Sequence, residues 1–98
     1  MKYVKKPVTI EAVSVREVLT AAIWGWEALP DWIRAACDAG TVGLCGDFVV
    51  IHALEGDMLG GIDDMIIQGV KGELYPCKPD IFNETYSPVN SPERGEEG

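Results

Sequence analysis

Six polar or reactive side chains fall within ten residues of one another: Lys71, Glu73, Tyr75, Cys77, Lys78 and Asp80. If Glu73-Leu74-Tyr75 is a strand, its period of two places Lys71, Glu73, Tyr75 and Cys77 on one face. A lysine, a carboxylate and a phenol on a common face can hold a small polar or phosphorylated ligand. Lys71, Glu73, Tyr75, Lys78 and Asp80 are therefore the candidate ligand-binding set. The same residues also have plain structural roles. Lys71 fits a hairpin tip with Glu73 pairing across the turn, and Tyr75 is a typical half-buried strand aromatic. Pro76 and Pro79 force a corner, and Asp80 suits a helix start.

No catalytic constellation is written along the chain. The single histidine, His52, sits in the apolar run from Phe48 to Leu54, where a packed, hydrogen-bonded imidazole is the expectation. Neither a nucleophile elbow nor a HExxH spacing accompanies it. Asp57, Asp63 and Asp64 are carboxylates of the kind that hard divalent ions take, but their spacing matches no metal-binding loop, so they read as solvated turn residues. Gly60-Gly61 lacks the lysine and following helix of a phosphate loop. Cys37, Cys45 and Cys77 are odd in number and widely spaced, which supports neither a zinc site nor a disulfide framework. No catalytic residue, metal ligand or cofactor site is expected. Trp24, Trp26 and Trp32 are candidates for packing beneath a helix pair or, if exposed, for a subunit or partner contact.

The charge balance narrows the partners. The chain of 98 residues carries 16 acids against 8 bases, a net charge of −8. Between Arg34 and Lys71 there is no lysine or arginine, while Asp38, Asp47, Glu55, Asp57, Asp63 and Asp64 all lie there. Duplex nucleic acid is held largely through its phosphates, and the small cluster Lys2, Lys5 and Lys6 is no basic stripe, so duplex binding is not expected. No apolar run approaches the roughly 18 residues of a membrane span. The basic start is followed by strand-like residues instead of a signal-peptide core, which points to the cytoplasm.

The elements that must position these residues can be read from periodicity. Val8, Ile10 and Ala12 alternate with Thr9 and Glu11 as in a strand with one wet face. Ser14 and Glu17 have capping-box spacing, and Val15, Val18, Leu19, Ala22 and Ile23 follow at helical intervals, predicting a helix from Val15 to Trp24 that Gly25 stops. A second helix is predicted from Pro30, with Trp32, Ile33, Ala36 and Cys37 as its apolar face and Gly40 as its end. Beyond Thr41, turns at Gly46-Asp47, Glu55-Gly56-Asp57, Gly60-Gly61 and Gly69 to Gly72 separate short apolar runs. Phe48 to Ile51 reads as a central strand covered on both faces, with Met65 to Ile67 and Glu73 to Tyr75 as further strands. A single helical turn is expected at Pro79, and an edge strand at Thr85-Tyr86. The fold class is therefore α+β: one domain over residues 1–88, with an antiparallel barrel-like or strongly twisted sheet and two short helices after the first strand. Residues 89–98 are expected to be a flexible acidic tail.

Two segments carry a resemblance. The opening Lys5-Lys6-Pro7-Val8-Thr9-Ile10-Glu11-Ala12-Val13 and the stretch Gly69-Val70-Lys71-Gly72-Glu73-Leu74-Tyr75-Pro76-Cys77-Lys78-Pro79-Asp80-Ile81-Phe82 resemble a family of small tailed-phage and prophage proteins. In that family a similar start and ending bracket a variable middle, and no settled activity is attached to it. Where relatives carry a Pro-Gly-Asp turn followed by an aromatic, this chain reads Gly61-Ile62-Asp63-Asp64-Met65. The resemblance implies a phage protein. With no catalytic or nucleic-acid signature along the chain, the expectation is a non-catalytic accessory protein acting in the host cytoplasm by binding a host component or a small ligand. An acidic domain this small and this rich in apolar residues is expected to form a homodimer or larger oligomer. Alternatives are a sponge that sequesters nucleotide second messengers of bacterial defence, a small metal-dependent nucleotide hydrolase using the aspartates, or a minor virion part.

Overall fold

The computed structural model describes residues 1–2 and 9–87 of the chain. Strand β1 spans Glu11–Ser14 and runs directly into helix α1, Val15–Trp24. The capping box forms as its spacing predicts. Ser14 Oγ accepts from the Glu17 amide at 3.0 Å, and Glu17 Oε1 accepts from the Ser14 amide at the same distance. Two orphan amides of the first turn are thereby satisfied. Gly25 closes the helix by donating its N–H to Ala21. A 3₁₀ turn, Trp26–Ala28, leads to α2, Asp31–Asp38, with Pro30 as N-cap residue. The strands β2 (Val42–Cys45), β3 (Phe48–Ala53), β4 (Gly56–Gly61), β5 (Met65–Gln68) and β6 (Leu74–Cys77) follow, and α3, Pro79–Thr85, ends the ordered elements.

The α+β class with two short helices after the first strand holds, but the strands make two three-stranded antiparallel sheets, ordered β2-β3-β4 and β1-β5-β6. The first is a local meander. The second needs a long return, because Ala12 of β1 pairs with Ile67 of β5. Among the described residues no strand closes the two sheets into a barrel. They meet where β6 packs against β3 and β4.

Several expectations are corrected. The strand covered on both faces is β5, not β3. Neighbouring Ile66 and Ile67 are both fully buried, so each face of β5 is covered. In β3, Val49 and Ile51 are buried while Phe48 and His52 are exposed, the pattern of a strand with one free face. Gly60-Gly61 is no turn but the end of β4, paired with Phe48 and Val49. Gly60 suits this close packing, because a Cβ there would stand 3.1 Å from Val49 Cγ2 and 3.3 Å from Val15 Cγ2. Lys71 and Glu73 lie in the β5–β6 turn, so only Tyr75 and Cys77 share a strand face. Thr85 is the last residue of α3, which is two turns long, and Tyr86 caps it instead of starting an edge strand. The first strand begins at Glu11, and its predicted Val8 lies outside the described residues, as do Lys5, Lys6 and the segment from Val89 to Gly98.

The main core gathers Val13, Val15, Val18, Leu29, Ile33, Val42, Val49, Ile51 and Ile66 from β1, both long helices and both sheets. Fully burying one such aliphatic side chain contributes about 1.5–3 kcal/mol. The buried polar side chain among them is Asp64, 5% exposed, in the turn before β5. It accepts from the Gly61 amide at 2.9 Å, and Lys78 Nζ lies 3.5 Å from its Oδ2. Among the described residues no helix is long and apolar enough to cross a membrane.

Three substitutions test this packing. Gly60→Val should cost about 1–3 kcal/mol through overpacking. Gly43→Ala, where nothing lies within 4 Å of the new Cβ, should be neutral or stabilise by about 0.5 kcal/mol. Urea denaturation monitored by tryptophan fluorescence checks both, and equal effects at the two positions would contradict the close approach of β4 to α1. In the same assay Asp64→Ala should cost about 1–3 kcal/mol by leaving the partly buried Gly61 amide without its acceptor.

Candidate functional site

Two hairpins bend toward the same end of the molecule. The β3–β4 tip, 54–55, carries Leu54 and Glu55, with Leu54 fully exposed. The β5–β6 turn, 69–73, is held by three backbone-anchored contacts. Gly69 N–H donates to Glu73 O at 2.8 Å, Gly72 N–H to Gly69 O at 3.0 Å, and Lys71 N–H to Glu73 Oε1 at 3.1 Å. Gly72 has φ of +87°, a left-handed conformation that favours glycine. Gly69 has no Cβ because the Glu73 carboxylate lies over it. Glu73 therefore does pair across the turn, but with the backbone of Lys71 and not with its ammonium group.

Between these hairpins and α2 lies a cleft of about 990 Å³. Helix α2 contributes Trp32, Ala35 and Ala36. Strand β3 contributes Ile51, His52 and Ala53, and β4 contributes Met58. Gln68, Glu73, Leu74 and Tyr75 complete the opposite wall. The lining is mainly apolar with a few polar groups, which is the usual make-up of a binding cavity of this size. Trp32 packs partly against the core, yet its indole N–H is buried without a hydrogen-bond partner among the described residues. Orphaned buried donors are uncommon in folded proteins.

The predicted ligand set is divided by the fold. Glu73 and Tyr75 line the cleft, while Lys71, Lys78 and Asp80 are outside its lining. Lys71 is exposed in the turn. Lys78 is the N-cap residue of α3 and reaches Asp64, and Asp80 accepts from the Ile81 amide at 2.9 Å in the first turn of that helix. The tryptophans are also separated. Trp26 and Trp32 are half-buried against the core, whereas Trp24 is 81% exposed beside a shallower groove of about 650 Å³ between β1, α1 and the 3₁₀ turn. Sequence reasoning missed Ala35, Met58, Gln68 and Leu54 because nothing in linear order joins them. The one local signal was an exposed leucine beside a glutamate at a glycine turn.

The charges around the cleft are of one sign. Glu55 and Glu73 line it, and among the described residues no lysine or arginine does. Arg16 pairs with Asp63 at 2.8 Å, Arg34 with Asp31, and Lys78 with Asp64, all away from it. His52 lies 2.7 Å from Asp57 Oδ1 through Nδ1, and both side chains are well exposed, so the imidazole donates to a carboxylate on the open face of the sheet. Asp57, Asp63 and Asp64 therefore serve three different partners. Among the described residues no three His, Cys, Asp or Glu side chains gather as a metal site.

Two thiols, Cys37 and Cys77, are shifted away from the reactive thiolate form. Burial, then the Asp38 carboxylate, pushes the Cys37 thiol up, and burial with Asp64 and Asp80 does the same to Cys77. A nucleophilic cysteine needs the opposite shift. The Tyr75 phenol is pushed up to about 12, first by its hydrogen bond with Tyr86, whose hydroxyl lies 3.5 Å away, then by burial and by the charges of Tyr86, Glu73 and Cys77. Tyr86 in turn stacks on Phe82 at a centroid distance of 5.3 Å, so this contact ties α3 to β6 at the side of the cleft.

Because the Tyr75 phenol ionises later in the folded chain than in the unfolded one, its contribution to stability is full below the ordinary value of 10.0. It is lost as pH rises through about 12. Tyr86→Phe should bring the Tyr75 ionisation down toward its ordinary value, read as phenolate absorbance in an alkaline titration. An unchanged midpoint would show that the hydroxyl pair does not govern it. Comparison with protein-family models, with curated proteins and with solved structures returns no match for this chain.

Proposed function

We propose that this chain is an accessory protein of phage infection that acts in the host cytoplasm by binding, without catalysis, a host component or a small ligand in the cleft between α2 and the two hairpins. The observation that carries the binding reading is the cleft itself. It is about 990 Å³ in volume, faces Trp32, Met58, Leu74 and Tyr75, and includes a residue whose indole N–H lacks an acceptor among the described residues. The phage assignment rests on the resemblance of residues 5–13 and 69–82. The preference for binding over chemistry is supported by thiols shifted away from the thiolate and by aspartates committed to separate partners.

The alternatives fare less well on the same geometry. A nucleotide second messenger would place its phosphates against Glu55 and Glu73 with no lysine or arginine in the described lining to receive them. A metal-dependent hydrolase would require Asp57, Asp63 and Asp64 to converge, and each is engaged elsewhere. Self-association is part of the proposal through Trp24, whose exposed indole and the neighbouring exposed Ile23 form an apolar knob on α1.

The test uses native mass spectrometry on protein purified from bacterial cytosol, before and after incubation with host lysate. Ala35 is exposed on α2 and lines the cleft, so Ala35→Trp fills the cavity without disturbing the core. A bound mass on the wild type, lost in Ala35→Trp and kept in Trp24→Ala, is the expected result. A bound mass that survives Ala35→Trp would place the ligand elsewhere and sink the cleft reading.

A further inference from the structure

We infer that the natural occupant of the cleft is a cationic amphipathic peptide segment of a protein partner, in which lysine or arginine side chains alternate with apolar ones. This rests on the cleft being the binding site. The first support is charge complementarity. Glu55 on one hairpin and Glu73 on the other stand at opposite walls of the same cavity, and no described lysine or arginine lines it. Arg16, Arg34 and Lys78 are each paired with an aspartate outside it, and Lys71, exposed in the turn beside Glu73, is not part of the lining, so the charged groups of the lining itself are the two glutamates. Such a one-signed recess raises the local concentration of oppositely charged partners and speeds their capture.

The second support is the arrangement of apolar groups. Fully exposed Leu54 stands beside Glu55 at the rim, and Met58, Leu74 and Trp32 lie in the recess. A basic side chain can lay its methylene stem along such a surface and keep its charge at the glutamates.

Glu73 is also what locks the β5–β6 turn, through Lys71 N–H, so the charge must be removed without removing the acceptor. Glu73→Gln does this, because the amide oxygen still accepts. The experiment measures fluorescence polarisation of three dye-labelled peptides of equal length, with alternating lysine and leucine, serine and leucine, or glutamate and leucine. The proteins are the wild type, Glu55→Gln/Glu73→Gln, Ala35→Trp, and a control of equal net charge, Glu27→Gln/Glu84→Gln.

The lysine peptide is expected to bind the wild type and to weaken roughly three- to tenfold in the cleft double variant, as two exposed charge contacts predict. It should be unaffected in the charge control and lost in Ala35→Trp. Equal or tighter binding of the serine or glutamate peptide would overturn the charge inference and leave the cleft reading standing. Equal weakening in the charge control would overturn it by assigning the attraction to the whole acidic chain. Absence of binding by all three peptides would overturn it also. A mass adduct that Ala35→Trp abolishes would then still support the cleft.

Discussion

Two adjacent isoleucines on one strand set the terms for the rest of the molecule. Successive strand side chains point to opposite faces, so Ile66 and Ile67 can both be buried only if β5 is central and covered on each side. One cover is the main core, which Ile66 joins with Val13, Val49 and Ile33. The other lies on the side of Ile67 and its cross-strand partner Tyr75, where the hydroxyl contact with Tyr86 brings in α3. Strands β1 and β6 are needed to pair both edges of β5, and the second sheet packs behind. The corner at Pro76 and Pro79 then sends the chain on as a helix, whose capping residue Tyr86 meets Tyr75.

How much of this was legible depends on whether the signal was local. The capping box at Ser14 and Glu17 gave α1 its start because both partners lie within one helical turn. The hairpin at Gly69 to Gly72 was readable for the same reason. Strand β4, Gly-Asp-Met-Leu-Gly-Gly, was not, since three glycines in six residues signal a turn on composition alone. It is a strand because β3 offers it a ladder and because Gly60 must let Val15 and Val49 approach. Both are facts about distant residues. Strand β3 was over-read: a run of β-branched residues predicts burial, but Phe48 and His52 face outward and their sheet has one open side.

The candidate site shows the same division. Glu73 and Tyr75 were within reach of a period-two pattern, and they do share the cleft. Lys71 followed from the same pattern and Lys78 and Asp80 from nearness in sequence, but the strand starts at Leu74 and the corner turns Lys78 and Asp80 into the start of a helix. The other wall comes from α2 and from the β3–β4 hairpin, which no spacing rule connects to the first. What could be foreseen was the sign of the charge. The stretch without a lysine or arginine between Arg34 and Lys71 contains the second half of α2 together with β3 and β4, and these build most of that wall.

The pairing of β1 with β5 has a consequence for how the chain reaches this state. Ala12 and Ile67 are about 55 residues apart in sequence, whereas β2, β3 and β4 are joined by tight turns. Loop-closure entropy rises by about 0.6 kcal/mol for each doubling of the closed length, so the meander has far less to overcome than the sheet around β5. On a ribosome, β1 emerges early and must wait for most of the chain before its partner exists. The cleft takes one wall from α2 with the β3–β4 hairpin and the other from the β5–β6 hairpin, so it comes into being only once the two sheets have docked.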